Sequence, residues 1–238
     1  MKKLLFVVIS LISVSALSAQ NKKPATDLMA RTGDHFMLQF TGDFWMGAPD
    51  SIKDHMKGFS RGTNVYFLLD KRFKGNQKFS VAGGIGVGSS NMYFKRMSVD
   101  INSKNATLPF RNLDSLGYFK KYKLTTVYLE IPLELRFTAN PEKENRSFKA
   151  ALGIKVGTMI NAHNKGKTLV DRNGAVVNNY TQKESTKAYF NSTRFAGTAR
   201  VGYGNFSVIA SYQFNNIFKE GVAADIKLFQ IGLCVSGL

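Results

Sequence analysis

Apolar and polar residues alternate with a period of two along most of the chain. From Thr125 to Thr138, Val127, Leu129, Ile131, Leu133, Leu135 and Phe137 share one parity, while Tyr128, Glu130, Pro132, Glu134 and Arg136 share the other. Successive side chains of a strand point to opposite faces, so this pattern predicts a strand with one apolar and one polar side. Phe148 to Ala162 repeats it, with Phe148, Ala150, Leu152, Ile154, Val156 and Ile160 opposed to Lys149, Gly153, Lys155, Gly157 and Asn161. Six further segments behave alike: His35–Trp45, Gly62–Lys71, Phe79–Phe94, Thr193–Tyr203, Asn205–Phe214 and Asp225–Ser236. Strands of roughly 10 to 15 residues suit a tilted crossing of hydrocarbon, which needs about 9 to 11.

The alternation alone does not say which face looks outward, because a soluble lipocalin-like ligand-binding barrel turns its apolar parity inward. Connector lengths separate the two. Met46–Arg61, Lys95–Leu124, His163–Ser192 and Asn215–Ala224 are long, whereas Arg72–Lys78, Ala139–Ser147 and Gly204 alone are short. That regularity predicts an all-β protein, an eight-stranded antiparallel up-and-down transmembrane β-barrel with short periplasmic turns and long extracellular loops. The pattern by itself does not separate eight strands from ten. Phe79, Phe137, Phe148, Tyr203 and Phe206 lie on the apolar parity beside the short turns, and Phe44, Tyr93, Phe195, Tyr212 and Phe214 lie nearer the long loops. Two such sets are expected to form girdles at the two headgroup layers.

The first residues read as an export signal: Lys2 and Lys3, the apolar run from Leu4 to Val14, then Ser15-Ala16-Leu17-Ser18-Ala19-Gln20. The expected organisation is a cleaved signal peptide over 1–19, a periplasmic N-terminal segment over 20–34 and a barrel domain over 35–238. Beyond the signal no apolar run approaches 18 residues, so no helical span is expected. The single cysteine, Cys234, excludes an internal disulfide framework and a cysteine-based zinc site. The chain carries 33 Lys plus Arg against 16 Asp plus Glu, a net charge of +17. For an exported protein in the outer membrane that charge meets the envelope, and nucleic acid is not an expected partner.

An eight-stranded barrel is just wide enough for side chains to fill it. Its inward parity carries a lumen charge network of Asp43, Glu130, Glu134, Arg136, Lys149, Lys155, Arg194 and Arg200, together with Gln39. Such a network reads as a gate or proton path, or more simply as a plug of ion pairs, since buried charges must be paired. If the Ala139–Ser147 connector closes symmetrically, with Phe137 opposite Phe148, then Glu130 lies opposite Lys155 and the two are in contact. Gly84, Gly86 and Gly88 fall on the inward parity, where missing side chains leave room for Tyr66, Tyr128 or an arginine; the spacing is not that of a phosphate loop.

The excess charge sits in the long connectors. Lys95–Leu124 holds seven basic against two acidic residues, a net of +5, and His163–Ser192 five against two, a net of +3. Lys95, Arg96, Lys104, Arg111, Lys120, Lys121, Lys165 and Lys167 are the expected contacts to the phosphates and carboxylates of lipopolysaccharide. Outer-membrane lipid and envelope proteins are the expected partners, and no cofactor or metal is expected. The protein reads as a non-enzymatic structural or accessory component. The alternative is a small lipid A-modifying enzyme using His163 with Asp43 or a serine at the outer rim.

The stretch Tyr128-Leu129-Glu130-Ile131-Pro132-Leu133-Glu134-Leu135-Arg136-Phe137, with Ser18-Ala19-Gln20, Lys155-Val156-Gly157 and Arg200-Val201-Gly202-Tyr203-Gly204-Asn205-Phe206, resembles the PorT-like outer-membrane β-barrel family of Bacteroidetes. The resemblance covers essentially the whole mature chain. It implies an eight-stranded barrel and, for the name-giving branch, an association with a type IX secretion apparatus. The C-terminal Val235-Ser236-Gly237-Leu238 departs from the usual terminal aromatic of an outer-membrane barrel.

Overall fold

The computed structural model describes residues 35–237; the expected signal peptide over 1–19 and the whole of the N-terminal segment over 20–34 lie outside them. Among the described residues eleven strands form: β1 (Phe36–Met46), β2 (Ser60–Arg72), β3 (Phe79–Phe94), β4 (Met97–Val99), β5 (Phe110–Asn112), β6 (Tyr118–Thr138), β7 (Phe148–Val170), β8 (Val176–Ser185), β9 (Thr193–Tyr203), β10 (Phe206–Gln213) and β11 (Lys227–Ser236). Eight of them close a ring. β1 pairs with β2, β2 with β3, β3 with β6, β6 with β7, β7 with β9, β9 with β10, β10 with β11, and β11 with β1, all antiparallel. Closure leaves no edge within the ring, which is what lets strands cross a bilayer with every backbone group bonded. Among the described residues no helix is long and apolar enough to cross a membrane.

The apolar parity faces out. Ile131 is 63% and Leu152 67% exposed, and Leu133, Leu135, Ile154, Val156, Val208 and Leu233 also stand on the exterior, while Glu130, Glu134, Lys155 and Arg194 are buried within the ring. A soluble lipocalin-like barrel requires the reverse. On β6 the outward apolar run from Val127 to Phe137 spans about 25 Å once a strand tilt near 40° is allowed for, the height of an outer-membrane hydrocarbon band. Phe79, Phe148, Tyr203 and Phe206 are exposed at the short-turn end, and Phe44, Phe195, Tyr212 and Phe214 at the other.

The β6–β7 register differs from the symmetric closure. Phe137 pairs with Ala150, and Lys155 with Pro132, so Glu130 faces Gly157. The whole hairpin is displaced by two residues because the connector, with its 3-10 turn Glu144–Arg146, turns back unevenly. Glu130 and Lys155 are therefore diagonal neighbours. Their contact survives at 3.4 Å, because long side chains reach across a diagonal. A β-bulge lies between Val127/Tyr128 on β6 and Met159/Asn161 on β7, with Ile160 as the extra residue. The bulge reverses which parity of β7 faces the lumen: Lys155, Gly157 and Met159 are buried below it, Ala162, Asn164 and Gly166 above it.

Two connectors expected to be loops carry β structure. β6 and β7 extend beyond the ring as a paired ribbon up to Tyr118 and Val170, β8 pairs onto that extension, and β4 and β5 form a separate hairpin. The first long connector holds the single-turn helix α1 (Asp50–Lys53). These outer segments pack into an apolar cap. Trp45 lies edge-on to Phe94 and Phe218, at 5.6 Å each, within a cluster that includes Ile52, Met97, Val99, Ile101, Tyr122, Phe190, Ile217 and Ile226. At the opposite end the expected one-residue connector is the two-residue turn Gly204-Asn205, with φ of 59° at Gly204, a conformation glycine adopts without penalty.

Candidate functional site

The lumen is built around Glu130, which is completely buried. β6 turns its carboxylate inward, and three elements converge on it. The Tyr66 hydroxyl from β2 donates to Oε2 at 2.5 Å, Lys155 Nζ from β7 lies 3.4 Å from the same oxygen, and Arg194 Nη1 from β9 donates to Oε1 at 2.9 Å. Arg194 is held in turn by Gln213 Oε1, which accepts from its Nε at 3.1 Å, and its guanidinium lies 4.9 Å from the Tyr128 ring centre. Every charge at this level has a partner of opposite sign, as a water-poor interior demands. Gly86 and Gly88 make the room: a Cβ at Gly86 lies 2.2 Å from Tyr66 Cδ1, and one at Gly88 lies 2.7 Å from Glu130 Oε2.

Toward the short-turn end a second cluster forms on Glu134, whose Oε2 accepts from Arg136 Nε at 2.9 Å and Arg200 Nη2 at 3.2 Å. Below it Lys149, Arg136 and Arg200 line a polar cavity of about 20 Å³ with Asp70, Arg72 and Glu144, room for about one water. Arg72 and Glu144 form an ion pair beside it. Asp43 accepts from Thr41 Oγ1 at 2.7 Å and Gln230 Nε2 at 2.9 Å. Sequence reasoning named the charged members of this interior but passed over Gln213 and Gln230. Both lie on the same buried parity, and that signal was available.

The basic residues expected at the outer surface fall into two groups. Lys95, Arg96, Lys104 and Arg111 belong to the cap; Arg111 pairs with Asp100 at 2.8 Å and Arg96 lies over the Tyr118 ring at 5.3 Å. Lys120, Lys121, Lys165 and Lys167 belong to the β6–β7 extension, where Lys121 pairs with Lys167 across the strands. Lys123 and Lys183, which sequence reasoning left out of this set, pair with Lys165 from its two sides. Only the register reveals that neighbourhood.

The family model for the outer membrane protein beta-barrel domain matches residues 19–224. The chain belongs to this family. It is thus an outer-membrane β-barrel protein, with its long connectors and cap on the extracellular side. Among solved structures it is similar to the crystal structure of Ail, the attachment invasion locus protein of Yersinia pestis, at 15% identity over 84% of this chain and 94% of that one, with a TM-score of 0.36. The same Ail protein in complex with the heparin analogue sucrose octasulfate is 14% identical over the same shares, with a TM-score of 0.34. No curated protein matches.

In this outer-membrane barrel His163 and Asp43 of the enzymatic alternative are not brought together, while Ser185 stands opposite His163 across the β7–β8 pair with its hydroxyl donating to the Ala162 carbonyl oxygen at 3.1 Å. His163 Nδ1 is hydrogen-bonded to Asn161 Oδ1 at 2.9 Å on the outer surface of the extension, whereas Asp43 is engaged with Thr41 and Gln230 inside the lumen. His55 contacts Asp114 Oδ2 at 3.2 Å in the cap, and His35 contacts the Leu68 carbonyl oxygen at 2.9 Å near the opposite end. Among the described residues no group of three or more His, Cys, Asp and Glu side chains is placed to ligate a metal.

Proposed function

We propose that this protein is a closed, non-enzymatic barrel that acts through its surface, as a structural or adhesion-type accessory component of the envelope, contacting lipopolysaccharide and envelope protein partners through basic residues. The observation that carries this reading is the double closure of the axis: the Glu130-centred network in mid-lumen and the apolar cap above it. Charges paired across the mid-lumen and apolar side chains packed above them oppose a solute path, and His163 and Asp43 are engaged apart from each other. The lumen charges Asp43, Glu130, Glu134, Arg136, Lys149, Lys155, Arg194 and Arg200 serve in this reading as a plug. The PorT-like character of Tyr128–Phe137 supports a place beside a secretion apparatus as one form of the accessory role. An export signal over 1–19 and a short periplasmic segment over 20–34 complete the organisation.

Two measurements test it. In planar bilayers the purified chain is expected to give no conductance steps, and resolved channels would end the closed-barrel reading. Co-purification from mild detergent is expected to retain lipopolysaccharide and a stoichiometric envelope protein. Recovery of a monomer free of both would remove the surface role.

A further inference from the structure

The outer face of the β6–β7–β8 sheet changes character abruptly above the apolar band. On β6 the outward parity runs from Phe137 to Val127 in apolar residues, then through Thr125 to Lys123 and Lys121. On β7 the bulge at Ile160 turns Lys165 and Lys167 to this same outer side; without the extra residue they would share the lumen parity of Lys155. The pairing then sets lysines side by side: Lys123 opposite Lys165, Lys165 opposite Lys183, and Lys121 opposite Lys167. Like charges directly opposed across strands are destabilising. No acid relieves them here, because the Glu184 carboxylate is drawn to the other face, where Asn164 Nδ2 donates to it at 2.8 Å. Among the described residues Lys121, Lys165, Lys167 and Lys183 form no ion pair. Lys123 is anchored to Asn91 Oδ1 at 2.7 Å and faces the Tyr93 ring. The lysine rows begin about 10 Å above the apolar band once strand rise and tilt are counted, a height from which a lysine stem reaches down to headgroup phosphates.

We propose that Lys121, Lys123, Lys165, Lys167 and Lys183 form a binding site for a multiply phosphorylated lipid headgroup of the outer leaflet. The proposal rests on the reading that basic outer groups meet lipopolysaccharide, and it assigns that contact to one sheet face. Uncompensated cross-strand repulsion and an acid-free surface at headgroup height together fit a polyanion that bridges neighbouring strands.

The test uses the full chain in phosphatidylcholine nanodiscs doped with bis-phosphorylated or dephosphorylated lipid A. The parent is expected to prefer the phosphorylated form. K165S/K167S/K183S is expected to weaken that binding about a hundredfold, at about fivefold per lysine, while K165R/K167R/K183R keeps it. The periplasmic-turn variant K74S/K78S is expected to match the parent, and heat-modifiable gel migration reports folding of each. In pure phosphatidylcholine the serine variant is expected to melt at or above the parent, since it relieves repulsion. A lower melting temperature with the phosphate preference intact makes the lysines structural and overturns the proposal. If K165S/K167S/K183S binds normally and the cap variant K95S/K104S/R111S does not, the site falls but lipopolysaccharide contact stands. If the parent does not distinguish the two lipids, both fall. Loss of heparin-fragment binding with lipid A binding unchanged reassigns the face to a sulfated glycan and overturns the lipid site.

Discussion

The Glu130 carboxylate and the Arg194 guanidinium meet 2.9 Å apart at the centre of the barrel, though 64 positions separate them in the chain. Neither strand carrying them pairs with the other; β7 lies between β6 and β9. The contact thus crosses the lumen over an intervening strand, and with Lys155 and Tyr66 it ties β2, β6, β7 and β9 into one buried unit.

Removing the anion from that unit leaves two buried cations facing each other. E130Q is expected to lower stability by about 3–5 kcal/mol, the cost of stranding a buried charge. Urea unfolding of the detergent-folded protein checks this. The double variant E130Q/K155Q is expected to cost less than the sum of its parts, because the second change removes a charge the first left unpaired.

Gly86 admits no side chain. Its Cβ meets both Tyr66 Cδ1 and the Val65 carbonyl oxygen at 2.2 Å, so G86A forces backbone to shift as well as a ring. A loss of about 1–3 kcal/mol is expected in the same unfolding measurement. Wild-type stability in G86A would mean that β2 and β3 approach less closely than described.

Ile131 and Val176 are almost equally exposed, at 63% and 61%, yet they face different solvents. I131K places an ammonium group in the lipid band and is expected to cost about 2–4 kcal/mol. V176K, on the extracellular β8, is expected to stay within about 0.5 kcal/mol. Equal effects would move the membrane boundary.

The hydrogen bond from His55, and then that from Asn112, hold the Asp114 carboxyl below its ordinary value of 3.8. A depressed acid contributes its tether in full above that value and loses it as pH falls through the lower one. The link between the α1 region and the 112–116 segment is therefore expected to be complete above about pH 3.8 and to be lost as pH falls through the lower native value. Carboxyl chemical shifts of Asp114, and amide exchange at 50–56 read alongside them, check the window. D114N is expected to lose the pH dependence.

Facing and connector asymmetry follow from residue types alone, whereas the number of strands in the ring, eight rather than ten, is fixed by the pairing. Val127 to Phe137 must present one greasy side, and a one-residue slip would turn every one of those side chains inward, so parity is strongly encoded. Register is not. A two-residue slip preserves every face, which is why Phe137 finds Ala150 rather than Phe148 without disturbing the pattern. The bulge at Ile160, the pairing of Lys165 with both Lys123 and Lys183, and the cap around Trp45 depend on how the hairpins close and on contacts between connectors far apart in the chain. Those are decided only when the ring forms, because ring closure sets which residues stand opposite one another.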